Sequence, residues 1–88
     1  MIGVSAQVSL YPLGHEDLSP AIGEIWKALD SQGLEYTPGP MSTVTWGGDD
    51  AVLDALKEGF RRAAEFGPAV MVITLTNACP MPRSKENP

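Results

Sequence analysis

The stretch IGVSAQVSLYPL, residues 2–13, alternates apolar and polar side chains. One row of this segment is apolar and the other is polar and uncharged: Val4, Ala6, Val8 and Leu10 against Ser5, Gln7, Ser9 and Tyr11. Because side chains alternate along a β-strand, the pattern predicts a strand with one face against a core. Residues 69–77 repeat this division. We therefore expect two strands of one sheet, with an apolar face for helices to cover and an uncharged face where a function could reside.

Two helices and two short strands are predicted between these end strands. The first helix starts with Ser19 as N-cap and Pro20 as its first residue, and it ends at Gly33. Residues 34–37 and 41–46 read as a hairpin of strands, and Asp49 or Asp50 caps the second helix, which Gly67-Pro68 ends. Gly59 within that second helix indicates a close approach of the helix to the sheet.

The order strand, helix, strand, strand, helix, strand defines the expected fold class. Right-handed crossovers fold it as an α+β, ferredoxin-like β-α-β-β-α-β sandwich, a four-stranded antiparallel sheet with two helices on one face. The domain spans residues 1–80, and residues 81–88 form a flexible C-terminal tail. The opposite, open face is predicted to carry mostly small polar residues: Gln7, Ser9, Tyr11, Thr43, Thr45, Val72, Thr74 and Thr76. Strict alternation then turns Trp46 toward the helices.

Composition narrows the class of protein. With 88 residues, the chain suits one small domain for which association between copies is a natural source of stability. Its 11 acidic and 6 basic residues give a net charge of -5, and no basic cluster suits nucleic acid. No segment reaches the roughly 20 apolar residues that cross a bilayer, and the single cysteine, Cys79, allows no internal disulfide. We expect a soluble, cytoplasmic homo-oligomer, a dimer or tetramer, with no nucleic-acid partner and no membrane insertion.

Three segments, VSLYPLG at 8–14, MSTV at 41–44 and NACP at 77–80, occur in an order that resembles the YkoF-like thiamin-binding family. Its single-domain members are often called MTH-type thiamine-binding proteins. The similarity covers nearly all of residues 2–80. It implies a ferredoxin-like domain that binds thiamin or its hydroxymethylpyrimidine part without converting it and that often forms dimers or tetramers. Position by position, the resemblance supports Ser9, Tyr11, Thr43 and Thr74 as site residues.

Small neutral groups fixed on strands suit a pyrimidine, whose amine-bearing edge alternates hydrogen-bond donors and acceptors. The predicted ligand-binding residues share this chemistry: Gln7, Ser9, Tyr11, Thr43, Thr45, Thr74, Thr76 and Asn77. No catalytic residue, metal ligand or cofactor is predicted beyond thiamin or hydroxymethylpyrimidine as the bound ligand.

Other interpretations stay open at this point. Thr and Ser on a strand face also serve strand propensity, solubility or a wet interface between subunits. A structural or regulatory homo-oligomer without a ligand would use the same residues. A small dimeric isomerase would rest on His15 or a carboxylate, although no constellation of acid, base and oxyanion donors is visible. His15 otherwise belongs to a solvated loop, and Cys79 is either a packing residue or a reactive thiol.

Overall fold

The computed structural model describes residues 1–14, 17–39 and 42–78, which form a single sheet with two helices. The elements follow in the order β1 (Gly3–Pro12), α1 (Ser19–Ser31), β2 (Glu35–Pro38), β3 (Thr43–Gly48), α2 (Asp49–Ala63), a 3₁₀ turn (Ala64–Phe66) and β4 (Ala69–Thr76). All neighbouring strands are antiparallel, and their order is β2-β3-β1-β4. The predicted ferredoxin-like fold, with β1 and β3 at the centre, is confirmed. The expectations for His15, Cys79 and the tail at 81–88 fall outside the described residues.

The core lies between the two helices and one face of the sheet. It is built from the apolar row of β1 and one stripe of each helix: Val4, Ala6, Val8, Leu10, Ala21, Ile25, Leu29, Val52, Ala55, Leu56 and Ala63. The β1 row alternates with period two, and the helical stripes recur every three or four residues, so each element presents one apolar side to the same volume. This burial is the main source of stability of the fold.

The first helix begins one residue earlier than expected, and its C-cap residue is followed by the glycine that was predicted to end it. Leu18 occupies the N-cap position of α1, and the Asp17 carboxylate accepts a hydrogen bond from the backbone N–H of Ser19 at 3.1 Å. Ser19 is therefore the first helical residue, and its prediction as N-cap is wrong by one position. Gly33 adopts the predicted left-handed conformation, with φ of 70°.

The start of α2 is tied to the start of the chain. The Asp49 N–H donates to the carbonyl of Ile2 at 2.8 Å, and the Ile2 N–H donates to the Asp49 carboxylate at 3.2 Å. Gly48 occupies the N-cap position of α2 without a side-chain cap, so the prediction that Asp49 or Asp50 caps this helix is wrong. Asp49 is the first helical residue, where a negative charge is favourable, and it also orders the entry to β1.

Gly59 marks a close contact between the two helices rather than between a helix and the sheet. A Cβ atom on this glycine would lie 2.9 Å from Ile25 Cδ1 and 3.1 Å from Ile25 Cα. The expected approach to the sheet is therefore wrong, because the missing side chain lets α2 lie against the backbone of α1. Residues larger than glycine would push the helices apart.

The strand register corrects the predicted composition of the open face. Thr43 lies opposite Val8 and Thr45 lies opposite Ala6, and directly opposed residues in a sheet share a face. Both threonines are thus under the helices, 6% and 0% exposed. Trp46 lies opposite Ser5 and so belongs to the open face, contrary to the prediction.

Hydrogen bonds explain how two threonines can lie in the core. The Thr45 hydroxyl donates to the Glu35 carbonyl at 2.8 Å, and the Thr43 hydroxyl accepts from the Trp26 indole N–H at 3.0 Å. A buried hydroxyl is costly only when it lacks such a partner. Threonine and valine have nearly the same shape, so the alternation Thr-Val-Thr in β3 does not by itself reveal which row is buried.

Candidate ligand-binding site

A cavity of about 130 Å³ lies on the helix-covered side of the sheet, between α1 and the adjoining parts of β1 and β3. Most of its wall is apolar and comes from β1 and from α1 with the residue before it: Val8, Leu10, Leu18, Ile22 and Ile25. Each α1 residue reaches the cavity because it belongs to the inward stripe of that helix. No charged side chain occurs among the described residues of the wall.

The polar part of the cavity wall is centred on Thr43. Its hydroxyl oxygen accepts the hydrogen bond from Trp26, which fixes both side chains. A hydroxyl that accepts in this way keeps its own hydrogen for donation. Within residues 1–14, 17–39 and 42–78, Thr43 donates no side-chain hydrogen bond. Ser42, half-buried beside it, adds a second hydroxyl to the wall.

Exposed residues mark the mouth of the cavity. Tyr11 and Leu18 line the cavity and are 43% and 39% exposed, and Gly39 lines it from the exposed end of β2. The Gly39 N–H donates to the Ser42 carbonyl at 2.6 Å, which joins the two ends of the connection between β2 and β3 beside the mouth. A flat ligand entering here would pass the Tyr11 ring, a surface suited to stacking.

The predicted site residues are divided among three places. Tyr11 and Thr43 line the cavity. Gln7, Ser9, Thr74 and Thr76 lie on the open face, as predicted, where Gln7 is opposite Thr74 and Ser9 is opposite Val72. Thr45 lies in the core, and Asn77 is exposed after the end of β4. The structure thus brings Tyr11 and Thr43 together at one cavity, although the register places Tyr11, opposite Val70, in the open-face row of β1. Thr43 and Thr45 are separated from that row.

The sequence interpretation missed the contribution of α1. Ile22, Ile25 and Trp26 recur at helical spacing, a pattern that is typical of an ordinary core-facing stripe and does not by itself indicate a site. One signal for a binding role is the indole of Trp26, because a buried indole N–H requires an acceptor and the facing strand offers threonines. Ser42 gave no comparable signal, since a serine beside a strand is common in turns.

Two further features of the described residues bear on the site. No group of three or more His, Cys, Asp and Glu side chains in the described part of the chain is arranged to hold a metal ion. None of the described helices is long and apolar enough to cross a membrane. The cavity wall itself offers apolar surface, the aromatic rings of Tyr11 and Trp26, and the hydroxyl groups of Ser42 and Thr43.

Residues 3–82 match the model of the YKOF-related family, and the chain belongs to that family. The resemblance drawn from the three sequence segments is thereby confirmed. No curated protein matches the chain.

Solved structures agree with this family assignment at the level of the fold. A hypothetical protein from Methanocaldococcus jannascii is 23% identical, with a TM-score of 0.83 over 97% of this chain and 93% of that one. A protein from Thermotoga maritima, provisionally assigned to thiamine biosynthesis or salvage, is 23% identical, with a TM-score of 0.76 over 94% of this chain and 92% of that one. At such identities the likeness shows the shared fold alone.

Proposed function

We propose that this protein binds thiamin or its hydroxymethylpyrimidine moiety without chemical conversion, as a carrier, buffer or sensor linked to thiamin uptake or salvage. The observation that carries the proposal is the cavity beneath α1, with its apolar wall and the hydrogen-bonded pair of Trp26 and Thr43. Membership of the YKOF-related family and the provisional assignment of the Thermotoga maritima structure support the choice of ligand.

The size of the cavity suits one ring. Apolar protein cavities of about 150 Å³ admit benzene, and this one is about 130 Å³. A pyrimidine ring is of that size, whereas whole thiamin would keep its thiazolium part at the mouth, near Tyr11. A cationic thiazolium gains there from an aromatic face and from the net charge of -5 of the chain. Anionic phosphate groups are not attracted by an aromatic face or by a negative net charge, so this proposal predicts that thiamin diphosphate binds more weakly than thiamin.

The hydroxyl of Thr43 gives the cavity its preference for a heteroaromatic ring. Thr43 lines the cavity and its hydroxyl can donate one hydrogen bond, and a ring nitrogen of the pyrimidine is an acceptor of the right kind. The bond from Trp26 holds the hydroxyl oxygen in place before the ligand arrives, which lowers the cost of ordering on binding. A carbocyclic ring of equal size would fill the cavity but leave this donor unused.

Titration calorimetry with hydroxymethylpyrimidine, thiamin and thiamin diphosphate tests the proposal. Thr43→Val keeps the β-branched shape but removes both the donor to the ligand and the acceptor of the Trp26 indole N–H, so affinity for hydroxymethylpyrimidine should fall by at least about 3- to 10-fold, the worth of one neutral hydrogen bond. Thr45→Val is the matched control, because Thr45 is equally buried on the same strand but does not line the cavity. Absence of binding heat for all three compounds at millimolar concentration, or equal losses in the two variants, would contradict the proposal.

A further inference from the structure

The two buried threonines of β3 use their hydroxyl groups in opposite senses. The Thr45 hydroxyl donates to the Glu35 carbonyl at 2.8 Å, so its hydrogen is engaged within the protein. The Thr43 hydroxyl oxygen instead accepts from the Trp26 indole N–H at 3.0 Å. An indole nitrogen donates a hydrogen bond and cannot accept one, so the hydroxyl hydrogen of Thr43 has to point away from Trp26.

Among the described residues of the cavity wall, Thr43 carries the hydroxyl that solvent reaches least. It is 6% exposed, whereas Ser42 is half-buried and Tyr11 is 43% exposed. Water can pair with an exposed hydroxyl in either sense, so the two outer groups adapt to a donor or to an acceptor at little cost. A buried hydroxyl that is held by a protein partner lacks this freedom. The hydrogen-bonding sense of the inner cavity is therefore set at Thr43.

We propose that Trp26 is a positioning residue that makes the inner cavity a hydrogen-bond donor. Because the indole holds the Thr43 oxygen, a bound ring meets the hydroxyl hydrogen, so the cavity prefers a ring with a bare nitrogen and rejects a ring that presents N–H. Two donors that face each other in an apolar cavity both stay unpaired, which discriminates more strongly than a missing contact. This inference rests on the proposed function only in taking the cavity as the ligand site. It specifies the ligand class as heteroaromatic rings with an unprotonated ring nitrogen.

The placement of Trp26 suits this positioning role. Trp26 lies on α1 and lines the cavity, while Thr43 begins β3, so their hydrogen bond joins a helix to a strand across 17 positions of sequence. A donor that is anchored on a packed helix holds the hydroxyl oxygen before a ring enters, which lowers the cost of ordering on binding. Trp46, the second of the two tryptophans of the chain, lies on the open face opposite Ser5. It therefore supplies a control for the same substitution away from the cavity.

Three small rings test the hydrogen-bonding sense of the cavity: pyridine is an acceptor, pyrrole is a donor, and benzene is neither. All three are of the size that a cavity of about 130 Å³ admits. In titrations of the wild-type chain at neutral pH, followed by protein NMR, pyridine should bind about 3- to 10-fold more tightly than benzene, and pyrrole more weakly than benzene. Equal affinities for pyridine and pyrrole, or no binding of any ring, would overturn the inference.

Trp26→Phe tests the role of the indole. It removes the N–H and lets the Thr43 hydroxyl turn, so the preference for pyridine over pyrrole should fall to less than about 2-fold. Each affinity is expressed relative to benzene, which cancels the change in cavity size. Trp46→Phe is the matched control and should keep the wild-type preference. An unchanged preference in a Trp26→Phe variant with a wild-type circular dichroism spectrum would contradict the role of Trp26.

Two measurements on the wild type keep the inference testable if Trp26→Phe fails to fold. One is the preference among the three rings, and the other is solvent exchange of the indole N–H groups. The Trp26 N–H should exchange more slowly than that of Trp46, because it is hydrogen-bonded to a buried oxygen. If hydroxymethylpyrimidine binds but the rings show no preference, the inference fails and the proposed function stands. If the rings show the preference but hydroxymethylpyrimidine does not bind, the proposed function fails and the inference stands.

Discussion

On the helix-covered face of the sheet, Thr43 and Thr45 are 6% and 0% exposed, whereas Thr74 on the open face is exposed. The covered hydroxyls are held by Trp26 and by the Glu35 carbonyl. Thr74 lies instead opposite Gln7, in a row open to water. The same residue type therefore plays a packing role on one face and a surface role on the other. Its hydrogen-bond partner, rather than its identity, tells the two roles apart.

The largest expected effect on stability concerns the packing of α1 against α2, the two helices that cover one face of the sheet. Gly59→Ala adds a methyl group at 3.1 Å from the Ile25 Cα atom, and backbone cannot move aside without displacing α1. Overpacking costs of about 1–3 kcal/mol exceed the gain of about 1 kcal/mol that alanine brings to a helix interior. We expect the free energy of unfolding, measured by urea denaturation, to fall by up to about 2 kcal/mol.

Gly23→Ala in α1 is the matched control for that substitution. A Cβ atom there meets nothing within 4 Å, so the helix-propensity gain is unopposed. We expect this variant to be more stable than the wild type by up to about 1 kcal/mol. If Gly59→Ala were also stabilising, the close approach of α1 and α2 would have to be relaxed in solution.

A smaller effect on stability is expected from removing one threonine hydroxyl, and it should differ between the two faces of the sheet. Thr45→Val removes the donor to the Glu35 carbonyl and should cost about 1 kcal/mol of unfolding free energy. Thr74→Val makes the same change on the open face and should stay within about 0.5 kcal/mol of the wild type. Both variants keep the β-branched shape, so packing is conserved. Equal costs in chemical denaturation would show that the two faces do not differ in the way their hydroxyls are used.

The sequence was a good guide where a pattern has only one physical solution. Alternation in β1 fixes the covered row, and Gly33 accepts a left-handed conformation that other residues resist, so these features were predictable. The β3 register was not, because Thr and Val both fit a buried strand position. Which row of β3 faces the helices depends on its pairing with β1, a long-range contact that the local pattern does not encode.

The candidate site was predictable only in part for the same reason. Tyr11 and Thr43 were predictable as candidate binding residues because both are polar side chains on predicted strands, and the structure places both at the cavity. Their partners Ile22 and Trp26 come from a helix whose stripe looks like ordinary core, and the space between them arises from the packing of two elements. A cavity is a property of packing, so side-chain type alone could not locate it.

The smallest expected effect lies on the covered side at the β2 edge, where Tyr36 lies opposite Thr45. Burial, the hydrogen bond to Asp30 at 3.2 Å and the negative charge of that carboxylate raise the pKa of the Tyr36 hydroxyl above its ordinary value of 10.0. The folded chain therefore holds this proton more tightly than the unfolded chain does. The stabilising contribution is complete below pH 10.0 and is lost as pH rises through the raised pKa of the folded state.

Tyr36→Phe removes both the hydrogen bond and the titrating group. Near neutral pH it should cost less than about 1 kcal/mol, because the bond is exposed to solvent. Above pH 10.0 the difference in unfolding free energy between wild type and variant should shrink, since only the wild type loses stability through this group. Asp30→Asn removes the charge that opposes the tyrosinate and should weaken the alkaline loss. A constant difference in unfolding free energy between wild type and Tyr36→Phe across this pH range would mean that Tyr36 titrates alike in the folded and unfolded chains. The covered side of the sheet at β2 would then be as open to water as the open face.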